Sequence, residues 1–121
     1  DKAPITVARI QELVKTKFYN GLTFHRVIKG FVIQGGDPSG NGTGGSGKNI
    51  KAEFNDLKHE KGTVAMARSQ DINSADSQFY IAMNPLPHLD GKYTVFAKVI
   101  EGYNIVEKIE ANDKIISANL E

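Results

Sequence analysis

A mainly β fold, a closed or nearly closed antiparallel barrel capped by two helices, is predicted by three observations. Short segments rich in β-branched and aromatic residues recur along the chain, turn signals and glycine-rich or polar connections separate them, and apolar residues at helical spacing flank them. The strands do not alternate with helices as a parallel sheet requires. Pro4 suits the first turn of a helix, and Val7, Ile10, Leu13 and Val14 share one face beyond it, so a helix is predicted from Pro4 to Thr16. Tyr19-Asn20-Gly21 is a turn signal. Strands are predicted at Thr23 to Ile28, Phe31 to Gln34, Thr63 to Ala67, Gln78 to Ala82 and Thr94 to Val99. The connections Gly35 to Asn49 and Ser69 to Asp76 exceed the usual few residues and are candidate binding loops. A second helix is predicted at Tyr103 to Ile109, with Ile105, Val106 and Ile109 inward, and a last strand at Lys114 to Leu120.

Bulk composition narrows the function classes. With 121 residues, no repeat and no linker, positions 1–121 read as a single domain with enough chain for its own core. Fifteen basic against 14 acidic residues, without a block of like charge, argue against a nucleic-acid partner. Apolar runs are far short of the ~20 residues that cross a bilayer, so no membrane partner is expected. The absence of cysteine removes thiol catalysis, thiolate metal sites and disulfides. Zero cysteines suit reducing and oxidising compartments alike; the cytoplasm is favoured over the periplasm or secretion.

Several motif matches are weak. Gly40, Gly42 and Gly45 fit G-x-G-x-x-G, and Gly42 to Lys48 fits most of a P-loop, but a phosphate site needs a helix to start there, and Ile50 to Asn55 has no convincing apolar stripe. His25, His59 and His88 are scattered without a metal-ligand spacing, and no metal or cofactor is expected. Ser77, His88 and Asp90 lack the nucleophile elbow of a hydrolase.

The most informative stretch is Phe24-His25-Arg26-Val27-Ile28 followed by Gly30-Phe31-Val32-Ile33-Gln34-Gly35-Gly36-Asp37. It sets a permanently charged guanidinium among apolar residues, a costly arrangement unless the charge is used. Gly42-Thr43-Gly44-Gly45, Met66-Ala67 with Ser77-Gln78-Phe79-Tyr80-Ile81, and Leu89-Asp90-Gly91-Lys92-Tyr93-Thr94-Val95-Phe96 follow in order. Together these blocks closely resemble the cyclophilins, peptidyl-prolyl cis-trans isomerases, over essentially the whole chain.

The resemblance implies an isomerase acting on proline-containing peptides and on unfolded or folding proteins, as a monomer. It implies that Arg26 is the catalytic side chain and that Phe31, Val32, Tyr80 and Leu89 line the pocket for the proline ring. Gln34 and Gln78 would bond the peptide or orient Arg26, Ala67 and Arg68 would offer backbone contacts, and His88 and Tyr93 would sit on the rim. A chaperone or scaffold that holds proline-containing segments without fast isomerisation is the alternative. Alternation puts Gln78 and Tyr80 on one strand face and Phe79 and Ile81 on the other. Phe31 and Val32 are neighbours, so reaching one groove requires irregular backbone or a bulge near Gly30 to Val32.

The sequence departs from the best-known eukaryotic members at the rim. Val32 replaces a frequent methionine, His88 a tryptophan and Tyr93 a histidine, a combination similar to bacterial cyclophilins. Loss of the indole N–H donor at His88 predicts weak binding of cyclosporin. Family members open with a strand hairpin before the segment resembling Asp1-Lys2-Ala3-Pro4, and this sequence starts without one, so an N-terminally incomplete barrel is expected, either a piece of a longer chain or a fold completed by a second copy.

Overall fold

The computed structural model describes residues 2–119. Helix α1 spans Pro4–Lys15 and buries Thr6 and Leu13. No side chain of its own caps the N-terminus; Glu53 does so from across the fold, accepting from Ile5 N at 3.0 Å and Thr6 N at 2.6 Å. A carboxylate at the positive end of the helix dipole satisfies two orphan donors. Burial by itself would raise the Glu53 carboxyl, but these N–H groups outweigh it and hold the group below the usual range. At the other end Phe18 N donates to Leu13 O and Lys17 N to Val14 O, a Schellman closure that puts Lys17 at φ 64°.

Strands β1 (Arg26–Ile28), β2 (Val32–Gly35), β3 (Thr63–Met66), β4 (Phe79–Ala82) and β5 (Val95–Lys98) form one antiparallel sheet in the order β1-β2-β4-β3-β5. Helix α2 spans Tyr103–Val106, and a 3-10 turn, Pro87–Leu89, follows β4. Register explains the placement of the site. Arg26 pairs with Gln34, Gln34 with Tyr80, Tyr80 with Ala65 and Ala65 with Val95, a single row across all five strands. Cross-strand partners point to the same face, so that row puts Arg26, Gln34 and Tyr80 side by side. Tyr80, Ala65 and Val95 of the row join Val32, Ala82 and Leu86 in one buried cluster. Phe79 and Phe96 lie on the other face with Ile50, Met66, Ala75 and Ile10 of α1.

Four expectations are corrected. Among the described residues the sheet is not closed by hydrogen bonds: β1 and β5 are its edges, and the segment after α2 bonds instead to residues 21–24 ahead of β1, with Lys114 bridging Thr23, so no ladder joins β5 to β1. The predicted strand Lys114 to Leu120 is accordingly absent over 114–119, and Leu120 lies outside the described residues. The first predicted strand begins at Arg26, not Thr23, because Thr23 pairs instead with Asp37 and Lys114 as isolated bridges. In the second helix Ile105 is 66% exposed, while Tyr103, Val106 and Ile109 turn inward at a spacing of three, as 3-10 turns after Val106 require.

The irregular backbone expected at Gly30 to Val32 is a tight turn. Phe31 N donates to Ile28 O at 3.0 Å, with Gly30 at φ 75°, a conformation that glycine adopts without strain. Phe31 thus leaves a turn while Val32 enters the ladder, and both reach the same cluster. The one register shift of the sheet lies between β3 and β5, at Val64/Ala65.

Candidate active site

The row of paired strand residues ends in a hydrogen-bonded line. An Arg26 guanidinium N–H donates to Gln34 Oε1 at 3.3 Å. Because arginine only donates, Gln34 must present its oxygen to it and its amide nitrogen to Gln78, whose Oε1 accepts at 3.0 Å. Gln78 Nε2 then donates to the carbonyl of Gly44 at 2.9 Å. Every donor in the line points away from Arg26, and the last acceptor is backbone of the glycine-rich loop.

Two carboxylates hold that loop. Asp37, 1% exposed at the end of β2, accepts from Ser39 N at 2.8 Å, Asn41 N at 3.0 Å and Gly42 N at 2.5 Å. Burial would raise its carboxyl, but the backbone N–H groups of Ser39, Gly42, Asn41 and Gly44 prevail and hold it below the usual range. A side chain at Gly44 would collide with Asp37 and Ser39, so this approach requires glycine. Asp76 accepts from Ser46 N at 2.8 Å, from the Ser46 hydroxyl and from Gly47 N at 3.0 Å. No helix follows the loop; the chain runs on extended and Ile50 bridges to Ala75, so the nucleotide-like motif lacks the helix N-terminus it would need.

Beside the line lies a cavity of about 280 Å³ lined by Arg26, Phe31, Val32, Gln34, Ala67, Arg68, Tyr80, Leu89 and Tyr93. Its floor is the apolar cluster; Val32 and Tyr80 are 3% and 5% exposed. Arg26 is exposed at the rim, its guanidinium 6.0 Å from the Phe31 ring centroid. A neighbouring cavity of about 300 Å³ shares Gln34, Ala67 and Arg68 and adds Gln78 and the glycine loop. Of the predicted site residues only His88 lines neither; its ring stacks on Phe31 at 6.3 Å.

Ala67 and Arg68 meet the cavity in different ways. The Ala67 N–H is committed to Gln78 O at 3.0 Å, which leaves that donor unavailable to a peptide. Arg68 contributes its side chain as a wall: Nε and an Nη donate to Lys92 O at 3.1 and 2.6 Å, another Nη to Ser69 O, and the guanidinium lies 4.5 Å from the Tyr93 centroid and 5.8 Å from that of Phe54. Among the described residues the only acidic side chain on either cavity is Asp76, whose oxygens are taken by the loop.

Sequence reasoning missed His59. Its imidazole is fully buried, with Nδ1 3.0 Å from Asp90 Oδ1 and Nε2 2.6 Å from the Tyr80 hydroxyl. Lys58 and Glu60 on either side gave no local signal of burial. Asp90, considered beside Ser77 and His88, instead pairs with His59, while Ser77 donates to Gly36 O at 2.7 Å. The turn Pro87–Leu89, also unforeseen, places Leu89 on the cavity.

The family model for cyclophilin type peptidyl-prolyl cis-trans isomerase/CLD matches residues 1–119. A Helicobacter pylori peptidyl-prolyl cis-trans isomerase is 48% identical over 119 residues, covering 95% of this chain and 72% of the relative. Peptidyl-prolyl cis-trans isomerase B of Bacillus subtilis is 45% identical over 123 residues, covering 100% and 85%. Among solved structures, a cyclophilin type peptidyl-prolyl cis-trans isomerase of Cryptosporidium parvum, determined in the presence of the dipeptide Ala-Pro, superposes with a TM-score of 0.84 at 36% identity, covering 89% of this chain and 72% of that one. With a family model matched over nearly the whole chain and relatives at 45–48% identity, the chain belongs to the cyclophilin-type peptidyl-prolyl cis-trans isomerases, enzymes that interconvert the two isomers of the bond before proline.

Proposed function

We propose that the chain catalyses rotation about X-Pro bonds by seating the proline ring in the cavity of Phe31, Val32, Tyr80 and Leu89 while Arg26 donates to the proline nitrogen. Rotation is slow because it breaks amide resonance, at a barrier of about 18–20 kcal/mol. As the amide twists, the nitrogen regains a lone pair that planarity had delocalised. A donor preset against that lone pair binds the twisted state better than either planar one, which is what accelerates a reaction. Lowering the barrier by ~7 kcal/mol corresponds to roughly 10⁵-fold. No covalent bond changes, and no acid or base is needed.

The observation that carries this reading is the shared cavity: the guanidinium stands at the rim of the apolar pocket, held by Gln34, whose amide is held in turn by Gln78 and Gly44. The substrate class follows from ring size, apolar walls and the Ala-Pro dipeptide used with the Cryptosporidium relative. Arg26→Ala is expected to lower kcat/KM for an X-Pro peptide by about 10²–10³-fold, the cost of one preorganised donor, with the melting temperature unchanged because the side chain is exposed. Exchange NMR between cis and trans signals measures it; unchanged turnover would remove Arg26 from the mechanism.

A further inference from the structure

His59 is the side chain that ties the cavity floor to its wall. Its Nε2 contacts the hydroxyl of Tyr80, the floor residue, at 2.6 Å. Its Nδ1 and its backbone N meet the same oxygen of Asp90, at 3.0 and 2.7 Å, and its carbonyl accepts from Leu86 N at 2.8 Å. Leu86 and Asp90 bracket the turn Pro87–Leu89, so one residue grips both ends of the segment that presents Leu89 to the cavity and stacks His88 on Phe31.

The proton positions follow from the partners. The two N–H donations from His59, the backbone one foremost, hold the Asp90 carboxyl below the usual range, so at neutral pH it only accepts. Nδ1 therefore carries the hydrogen, and Nε2 is left as the acceptor for the Tyr80 O–H. Burial pushes the Tyr80 phenol up, which keeps that proton in place. The line runs one way, from Tyr80 through His59 to Asp90. The Tyr80 ring, held at its hydroxyl, meets Tyr93 edge-on at 5.8 Å, and Arg68 covers Tyr93.

We propose that Asp90, His59 and Tyr80 form one hydrogen-bonded unit that fixes the spacing between floor and wall of the proline pocket, with His59 as a positioning residue that sets how tightly the ring is held. The unit rests on the pocket reading above. Its loss weakens ring binding in ground and transition state alike, so it raises KM and spares kcat.

Long-range proton–nitrogen NMR of the His59 ring in the free protein tests the unit without substrate. The Nδ1–H form is expected; the Nε2–H form overturns the proposal. In exchange kinetics with an Ala-Pro peptide, Tyr80→Phe and His59→Asn are each expected to raise KM about tenfold with kcat within about twofold. The double variant should be no worse than His59→Asn, since both cut one line; additive losses overturn the proposal. Asp90→Asn keeps an acceptor oxygen and should retain most of the affinity that Asp90→Ala loses; equal losses overturn it too. Should His59→Asn fail to fold, Tyr80→Phe, which removes a single oxygen, decides on KM alone. A wild-type protein that never saturates with the peptide counts against the pocket reading, while the ring tautomer still judges the unit.

Discussion

The two sides of the groove are held by different physics. The pocket side is apolar: Val32, Tyr80, Ala82, Leu86 and Val95 pack into one cluster, with His59 as its buried polar tie. The loop side has little to pack. Between Asp37 and Gly47 the chain is mainly glycine and small polar residues, and its shape comes from N–H groups directed at the carboxylates of Asp37 and Asp76. Packing is indifferent to pH, and on the pocket side only the Asp90–His59 pair carries such a dependence, whereas the whole loop is folded around ionised carboxylates. Arg26 depends on both sides, since its cavity is formed by the first and its hydrogen-bonded line ends on the second.

The largest expected effect that separates the two sides is at Asp37. Asp37→Ala leaves three or more N–H groups without their acceptor and is expected to cost about 3 kcal/mol in chemical denaturation. Its carboxyl titrates lower in the folded than in the unfolded chain. The stability it contributes is therefore complete above the unfolded value of about 4 and is lost as pH falls through the lower folded value. Denaturation midpoints should drop below about pH 4, and Asp37→Asn should make that decline shallower. An acid limb as steep as that of the wild type would show that the loop is not held by charge.

A smaller effect is expected at the junction of the two sides. Gln78→Glu cannot donate to Gly44 O and would set a carboxylate against that carbonyl, so Gln34 and Arg26 lose their fixed orientation. Turnover should fall about tenfold, equivalent to about 1.4 kcal/mol, with stability little changed. Turnover equal to wild type would show that Arg26 is set by the pocket side alone.

The smallest effect belongs to neither side and serves as a control. Lys17 sits at φ 64° where α1 closes, a conformation that costs a residue with Cβ about 1 kcal/mol and glycine little. Lys17→Gly should raise stability by about 0.5–1 kcal/mol and leave kcat/KM unchanged; a change in kcat/KM would mean that the groove responds to global stability, and the comparison of its two sides would lose its force.

Local pattern made much of this legible. The five strands lie close to the β-branched runs and helix α1 ends within a residue of its predicted limit, while Phe31, Val32, Gln34, Tyr80 and Leu89, which only the family resemblance assigned to a groove, line one cavity. Face alternation put Phe79 opposite Tyr80, as the two clusters have it. His59 was hidden because its neighbours are charged and its partners are 21 and 31 residues away. Nothing local marks Asp37 or Asp76 as structural, since what makes them so is the number of backbone N–H groups that fold onto them.

By itself the sequence determined most of the elements and the chemistry available to them, because period, turn residues and side-chain type are local properties. Only the tertiary structure decided which polar groups meet: that Arg26, Gln34 and Tyr80 share one row, that the line from Arg26 ends on Gly44, and that among the described residues the sheet stops at β1 and β5 without closing. Each is a pairing between distant segments, and strand register and loop closure, which no local pattern encodes, set such pairings.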